Sequence, residues 1–248
     1  MIIQKSEAEI DLMREPAKIV RDTLAFVGDR IKAGMSTKEV DELVERYIRA
    51  AGAYPSCLGY GGFPASACVS INEVVVHGIP DDKTILKDGD IVTVDLCAYK
   101  NGFHGDAART FMIGDVSEEK RLLVKRTEEC FFKGIENLRA GTPLYDIGYR
   151  VQKYAESFGY GVIRAYTGHG IGREMHEDPA VPNYGRLGTG PRLKAGTVLC
   201  IEPMISLKSY HVRMLDDDWG AVTVDSSPAA HYENEVVIRE DGVEILTL

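Results

Sequence analysis

Asp95 and Asp106 lie in the stretch from Ile91 to Ile113, which reads IVTVDLCAYK, then Asn101-Gly102, then FHGDAARTFMI. An Asn-Gly pair between alternating apolar runs marks a two-residue hairpin, because a type I′ turn needs positive φ at both central positions. Pairing Lys100 with Phe103 puts Asp95 opposite Ala108 and Asp106 opposite Cys97. The two acids are then diagonal neighbours on one sheet face. Adjacent carboxylates repel unless a cation or a shared proton lies between them. A solvated face would also tolerate them, but Ile91, Thr93 and Cys97 share that face and do not suit water. A bulge between the acids would reverse the parity, so the reading depends on an unbroken register.

Three more groups join them. His169 stands between glycines in TGHGIG, Glu202 ends the apolar strand expected at Thr197–Ile201, and Glu233 lies in a last long strand expected at Ala229–Ile238. Four carboxylates bring four negative charges, which two divalent cations neutralise and one does not. A carboxylate-rich shell with one imidazole suits Mn, Fe, Co or Zn. Two such ions about 3.5–4 Å apart activate a water for attack, so the residues point to a dinuclear metallohydrolase of open substrate. His77 follows an apolar run and, alone, reads as a structural histidine. His169 and His176 lack the i, i+4 spacing of a helical zinc site.

The elements that must hold these groups are legible in outline. Ser6-x-x-Glu9 and Ser36-x-x-Glu39 are capping boxes opening two amphipathic helices, expected to end near Ala33-Gly34 and at Gly52. Short strands are expected at Ala67–Ile71 and Val74–Val76, after an irregular loop marked by Gly59, Gly61, Gly62 and Pro64. Ser117 caps a third helix to about Arg139, Thr142-Pro143 opens a fourth, and 206–220 reads as a polar loop ending at Trp219. At a constant offset of 107 residues, Ala33-Gly34 falls on Ala140-Gly141, Tyr47 on Tyr154, Gly52 on Gly159, Gly89 on Gly196 and Asp95 on Glu202. The spacing of glycines and acids argues for two helix-helix-strand halves related by a pseudo-two-fold, with Asp95 facing Glu202.

Composition sets the bounds. The 248 residues can bury one large core, with 44% hydrophobic and 27% charged residues, as in a soluble globular protein. A net charge of −9 without a basic cluster argues against nucleic acid as a partner. No apolar run is long enough to span a bilayer, and no signal-peptide core is present. Five cysteines without a Cys-x-x-Cys suggest reduced thiols in a cytoplasmic protein.

Taken together, ACVSINEVVVHGIP, VDLCAYKNGFHGDAARTF, GHGIGREMHEDP, LCIEPM and HYENEVVI resemble type I methionine aminopeptidases of the bacterial kind, over essentially the whole chain. The resemblance implies an α+β pita-bread fold over 1–248 as a single catalytic domain, its halves being about 1–116 and 117–248. It implies two divalent metal ions held by Asp95, Asp106, His169, Glu202 and Glu233, with Glu202 also handling the proton of the attacking water. It implies that His77 contacts the scissile amide and that His176 polarises the carbonyl. The methionine pocket would be lined by Cys57, Tyr60, Phe63, Cys68 and Trp219. The substrates would be N-terminal Met peptides and nascent chains with a small second residue, and the protein a cytoplasmic monomer, with ribosome contact left open. The chain departs from the family pattern at Gly61, Phe63, Met175, the acidic run Asp216–Asp218, and Asn234-Glu235, where His-Thr is usual. Its start at a helix leaves no room for a eukaryotic-type extension. The rival readings are a Pro-specific peptidase of the same fold and a binding module of that fold without metals.

Overall fold

The structure is a computed structural model that describes residues 2–248. In chain order the helices are α1 (Glu7–Gly28), α2 (Thr37–Ala50), α3 (Glu118–Ile135) and α4 (Tyr145–Glu156). The strands of the first half are β1 (Tyr54–Pro55), β2 (Cys68–Ile71), β3 (Val74–Val76), β4 (Ile91–Lys100) and β5 (Phe103–Met112). Then come β6 (Gly161–Val162), β7 (Gly168–Gly170), β8 (Glu177–Val181), β9 (Val198–Ile201) and β10 (Met204–Ser206). The last are β11 (Val212–Met214), β12 (Ala221–Thr223), β13 (Ala229–His231), β14 (Asn234–Ile238) and β15 (Val243–Ile245).

The hairpin β4–β5 has the register its turn dictates, with Asp95 opposite Ala108, Cys97 opposite Asp106 and no bulge. Its outer face carries Val92, Val94, Leu96 and Ala98, which are buried with Val20, Leu24 and Val27 of α1 and Val40, Val44 and Ile48 of α2. Both capping boxes close on these helices: Ser6 and Ser36 each accept from the third helical N–H, and Glu9 and Glu39 return to the cap backbone. Gly105 on β5 admits α1 closely, since a Cβ there would stand 2.5 Å from the Ala17 nitrogen. In the second half, the five-stranded sheet β15-β14-β9-β7-β8 buries Leu199, Ile201 and Val236 against Phe131 of α3 and Ile147 of α4.

The duplication extends to single hydrogen bonds. Gly34 N–H donates to Leu86 O and Leu86 N–H to Met35 O; 107 residues on, Gly141 donates to Leu193 and Leu193 to Thr142. The isolated bridges Ser36–Ile85 and Pro143–Arg192 obey the same offset.

Several expected boundaries move. The first helix stops at Gly28, where a Cβ would meet Phe111 at 2.8 Å, and Ile31 packs on the core from the following turn. The third stops at Ile135 because Asn137 takes a left-handed φ of 59°. The fourth begins at Tyr145, since Pro143 bridges to Arg192. The polar segment 206–220 is not all loop: β11 pairs with β12 in a hairpin whose turn is closed by Asp217, which accepts from Trp219 and Gly220 N–H. The single strand expected at Ala229–Ile238 is two, because the chain changes partners. β13 pairs with β10 and β14 with β9. Between them Glu233 N–H donates across the molecule to Ala108 O, the residue opposite Asp95.

A buried ion pair ties the chain's start to the second half. Lys5 Nζ meets Glu177, both side chains being under 10% exposed, and the other Glu177 oxygen accepts from Arg173 N–H, bracing the loop that carries His176. Removing one member of a buried pair strands the other charge, at a cost of about 3–5 kcal/mol, whereas apolar replacement of both is often tolerated. Glu177→Ala is therefore expected to lower the urea midpoint of the metal-free protein far more than the double change Lys5→Met with Glu177→Leu.

Candidate metal centre and active site

The breaks in the second-half strands set the acids. Glu202 stands at the end of β9, where Pro203 stops the ladder, and its carbonyl accepts from the buried Asn183 side chain at 2.9 Å. Glu233 stands at the break before β14. From the first half, β4 and β5 supply Asp95 and Asp106. His169 arrives on β7, squeezed between β9 and β8, and its flanking glycines are required by backbone rather than by ligand. A Cβ on Gly168 would lie 2.3 Å from Cys200 O, and one on Gly170 2.2 Å from Asp178 O.

All five groups line one cavity of about 250 Å³, together with His77, His176, Cys57, Tyr60, Phe63, Cys68 and Trp219. Every residue singled out for chemistry thus meets in one place. His169 Nε2 lies 3.7 Å from Asp106 Oδ2 and 3.6 Å from Glu202 Oε1. Its Nδ1 is 2.9 Å from Gly170 O, a pure acceptor, so Nδ1 carries the hydrogen and Nε2 presents a lone pair. A lone pair therefore faces two carboxylate oxygens, with no donor between them. Asp106 Oδ1 and Glu233 Oε1 are buried without any partner. Ligand atoms of Asp106, His169, Cys200 and Glu233 lie within 4.8 Å of one another, as do those of Asp95, Cys97 and Asp106. Converging acceptors with few donors among them suit a cation, and oxygen with imidazole suits a divalent one.

The electrostatics agree. Burial pushes Asp95 up to about 7. Burial and the neighbouring acids hold Asp106, Glu202 and Glu233 well above the usual carboxylate range. Burial, with His176 beside it, pushes His169 down to about 3. The protein alone would neutralise this cluster with protons, and bound cations invert that preference.

The apolar end of the cavity is a separate cluster. Cys57, Phe63, Ala65, Cys68, Cys97 and Met175 are buried together, with Trp219 set edge-on to Phe63 at 5.1 Å between centroids. The histidines stand at the junction. His77 adopts a left-handed φ of 59°, a conformation rare outside glycine and asparagine, and packs edge-on to Tyr166 at 5.3 Å. His176 Nδ1 is 2.8 Å from the Tyr60 hydroxyl, and its ring lies 4.3 Å from that of His169.

Sequence reasoning missed several neighbours of the centre. The thiol of Cys200 lies against Glu233, whereas Cys97, which the hairpin register already set opposite Asp106, lies against that acid as expected. Their strand parity with the acids was the available signal. Arg109 of β5 donates to Glu233 O at 2.5 Å and Asn234 Oδ1 at 2.7 Å and stacks on Tyr232 at 4.2 Å, anchoring the Glu233 segment from the opposite half. His231 is fully buried behind Glu202 and Glu233. Neither of the last two could be placed without the fold.

A duplicated helix-and-sheet shell aiming acids from both halves at one pocket is the pita-bread architecture, and its centre makes the protein a metallohydrolase of that class. The chain belongs to metallopeptidase family M24, whose pattern matches residues 11–240. It is 55% identical to a methionine aminopeptidase of Clostridium acetobutylicum, over all of this chain and 99% of that one. It superimposes on the crystal structure of methionine aminopeptidase from Rickettsia prowazekii with a TM-score of 0.98, at 42% identity and full coverage of both chains. Prolidase from Pyrococcus furiosus shares the fold at a TM-score of 0.79 and 25% identity, but this chain covers 65% of it. No helix among the described residues is long and apolar enough to cross a membrane.

Two opposite effects of one substitution test the centre. Asp106→Asn removes repulsion, so it is expected to raise the melting temperature of chelator-treated protein. The parent should gain roughly 5–10 °C with Mn²⁺ at about a hundred times its Kd, the linkage expected for a ligand bound only by the folded state. Asp106→Asn should lose that gain in differential scanning calorimetry.

Proposed function

We propose that this protein is a methionine aminopeptidase that removes N-terminal methionine ahead of a small second residue, using two divalent ions. The observation that carries the reading is the junction of a carboxylate-rich centre with an apolar pocket in one cavity. Asp95, Asp106, His169, Glu202 and Glu233 would hold the ions. Bound there, the ions would supply positive charge and lower the pKa of a water to give a nucleophile near neutral pH. The five buried free thiols suit a reducing compartment, which supports a cytoplasmic location.

The remaining work falls to side chains. Glu202 faces His169 through Oε1, which supports a role in taking the proton of the attacking water and returning it to the leaving amine. His176, beside His169 in the same cavity, would stabilise the oxyanion. For its Nε2 to donate there, Nδ1 must accept, so Tyr60 must be the donor in the 2.8 Å bond between them. Burial raises the Tyr60 pKa, which keeps its phenol protonated. His77, held by its strained backbone against Tyr166, orients the scissile amide. Cys57, Cys68, Phe63 and Trp219 offer polarizable and aromatic edges to a thioether, worth about 0.3–1.5 kcal/mol per sulfur–ring contact.

Tyr60→Phe is expected to lower kcat through the wrong His176 tautomer, with KM little changed, and His176→Ala to lower kcat by roughly 10²–10³. If KM rises instead while kcat holds, these two are binding residues. Steady-state kinetics on Met-Ala-Ser should give efficient cleavage, with Met-Lys-Ser, Leu-Ala-Ser and N-formylated Met-Ala-Ser refused. Comparable kcat/KM for the Met and Leu peptides would favour a broader aminopeptidase, and preference for a Pro second residue would favour the Pro-specific reading.

A further inference from the structure

His231 is fully buried, yet neither ring nitrogen has a hydrogen-bond partner. Buried imidazoles left wholly unpartnered are rare, and each calls for an explanation. The backbone of His231 is fixed twice over. Its N–H donates to Thr110 Oγ1 at 3.0 Å, and its carbonyl accepts from the same hydroxyl at 2.8 Å. Thr110 in turn pairs with Thr93 across the β4–β5 hairpin at 2.8 Å. The residue is thus clamped to the first half while its strand, β13, pairs Met204 of the second. One residue separates His231 from Glu233 and Met204 from Glu202, and both acids stand beside the ring. Nε2 lies 3.7 Å from Glu202 Oε2 and 3.9 Å from Glu233 Oε2. Among the described residues only these carboxylates stand within ion-pair range of that nitrogen, and the ring lies outside the lining of the cavity that holds the acids.

We propose that His231 is a positioning residue: its ring directs an Nε2–H at the Glu202 and Glu233 carboxylates, 3.7 and 3.9 Å away, and fixes both for metal binding and proton transfer. The geometry has three merits. A hydrogen on Nε2 adds a donor beside an acid pair that otherwise has the Cys200 thiol at Glu233. It points toward Oε2 of Glu202, leaving Oε1, which faces His169, for the cavity side. It also adds no formal charge where ions must neutralise the acids. The Thr93–Thr110 link makes the orientation of two second-half acids depend on the first-half hairpin. Outer groups that orient ligands in this way commonly change metal affinity or activity by about 10–100-fold when removed.

The inference rests on Glu202 and Glu233 being metal ligands, and the test separates the two. Full-length parent, His231→Leu and His231→Gln are titrated with Mn²⁺ by calorimetry and assayed on Met-Ala-Ser. Leu keeps the bulk without the donor, and Gln keeps a donor. Expected are a loss of about 10–100-fold in Mn²⁺ affinity and a fall in kcat at nearly constant KM for Leu, with Gln returning to within a few-fold of the parent. Leu matching the parent, or Gln failing as badly as Leu, overturns the proposal. A parent that binds no Mn²⁺ and cleaves no Met peptide would instead sink the reading beneath it. A structural role alone would lower the melting temperature without separating Gln from Leu. Should either variant not fold, the parent decides the matter by ¹⁵N imidazole NMR with Zn²⁺ added. A neutral His231 with its hydrogen on Nε2 is expected, and a hydrogen on Nδ1 refutes the assignment.

Discussion

The fold is organised around a repulsion. Four carboxylates converge in a buried space with a histidine that offers them a lone pair. Left to itself, such a cluster would spread apart or gather protons, and the raised acids of the centre show that tendency. The backbone opposes it by anchoring the acids on different elements, two inside one hairpin and two where second-half strands break. Asp95 and Asp106 are locked by a ten-residue ladder, Glu202 by Pro203 and Asn183, and Glu233 by its bond to Ala108 and the Arg109 guanidinium. The stability lost to repulsion is supplied by apolar layers that face away from the centre, where α1 and α2 cover one sheet and α3 and α4 the other. This separation lets the centre be tuned by small changes without loss of the core.

Duplication solves the placement problem economically. A single half presents acids on one sheet face only, and acids on one face cannot surround anything. Two halves facing each other enclose a volume from opposite sides. The recurrence of the Gly34–Leu86 and Gly141–Leu193 bonds shows how closely the scaffold repeats. The repeat then breaks at the centre itself. Asp95 of the first half sits inside a continuous strand, whereas its counterpart Glu202 sits where a strand ends. The second half gives up regular pairing there so that His169, Glu202 and Glu233 can reach the hairpin. Function is placed in the irregular half, and rigidity in the regular one.

What was legible in the sequence follows the same division. The hairpin register came directly from Asn101-Gly102 and the alternation around it, since a two-residue turn leaves no freedom of register. Capping boxes gave two helix starts to the residue. The duplication and the facing of Asp95 and Glu202 came from glycines that take positive φ at matched positions, such as Gly34 with Gly141 and Gly89 with Gly196. Helix ends were less legible, because Gly28 and Asn137 act through tertiary contact and local φ, which periodicity does not register. The break at Tyr232-Glu233 carries no proline or glycine; only the exchange of partner strands reveals it. Arg109 and His231 were invisible for the same reason, since each acts across a contact between residues more than a hundred positions apart or from behind another side chain. The pocket residues came through the family resemblance rather than through patterning.

One further consequence of the hairpin concerns specificity. β2 pairs with β4, and Cys68 lies directly opposite Asp95, which lies opposite Ala108 on β5. A wall of the apolar pocket and a member of the acid centre are therefore cross-strand neighbours, about 4.8 Å apart by the ordinary spacing of strands. The distance between where a side chain docks and where a bond is attacked is set by a sheet, the stiffest element available. The opposite wall is different in kind. Trp219 sits at a hairpin tip closed by Asp217, and Tyr60 in a short turn between glycines. The Cys68–Asp95 pairing therefore cannot shift without moving the acid beside it, whereas the turns that carry Tyr60 and Trp219 stand outside that ladder.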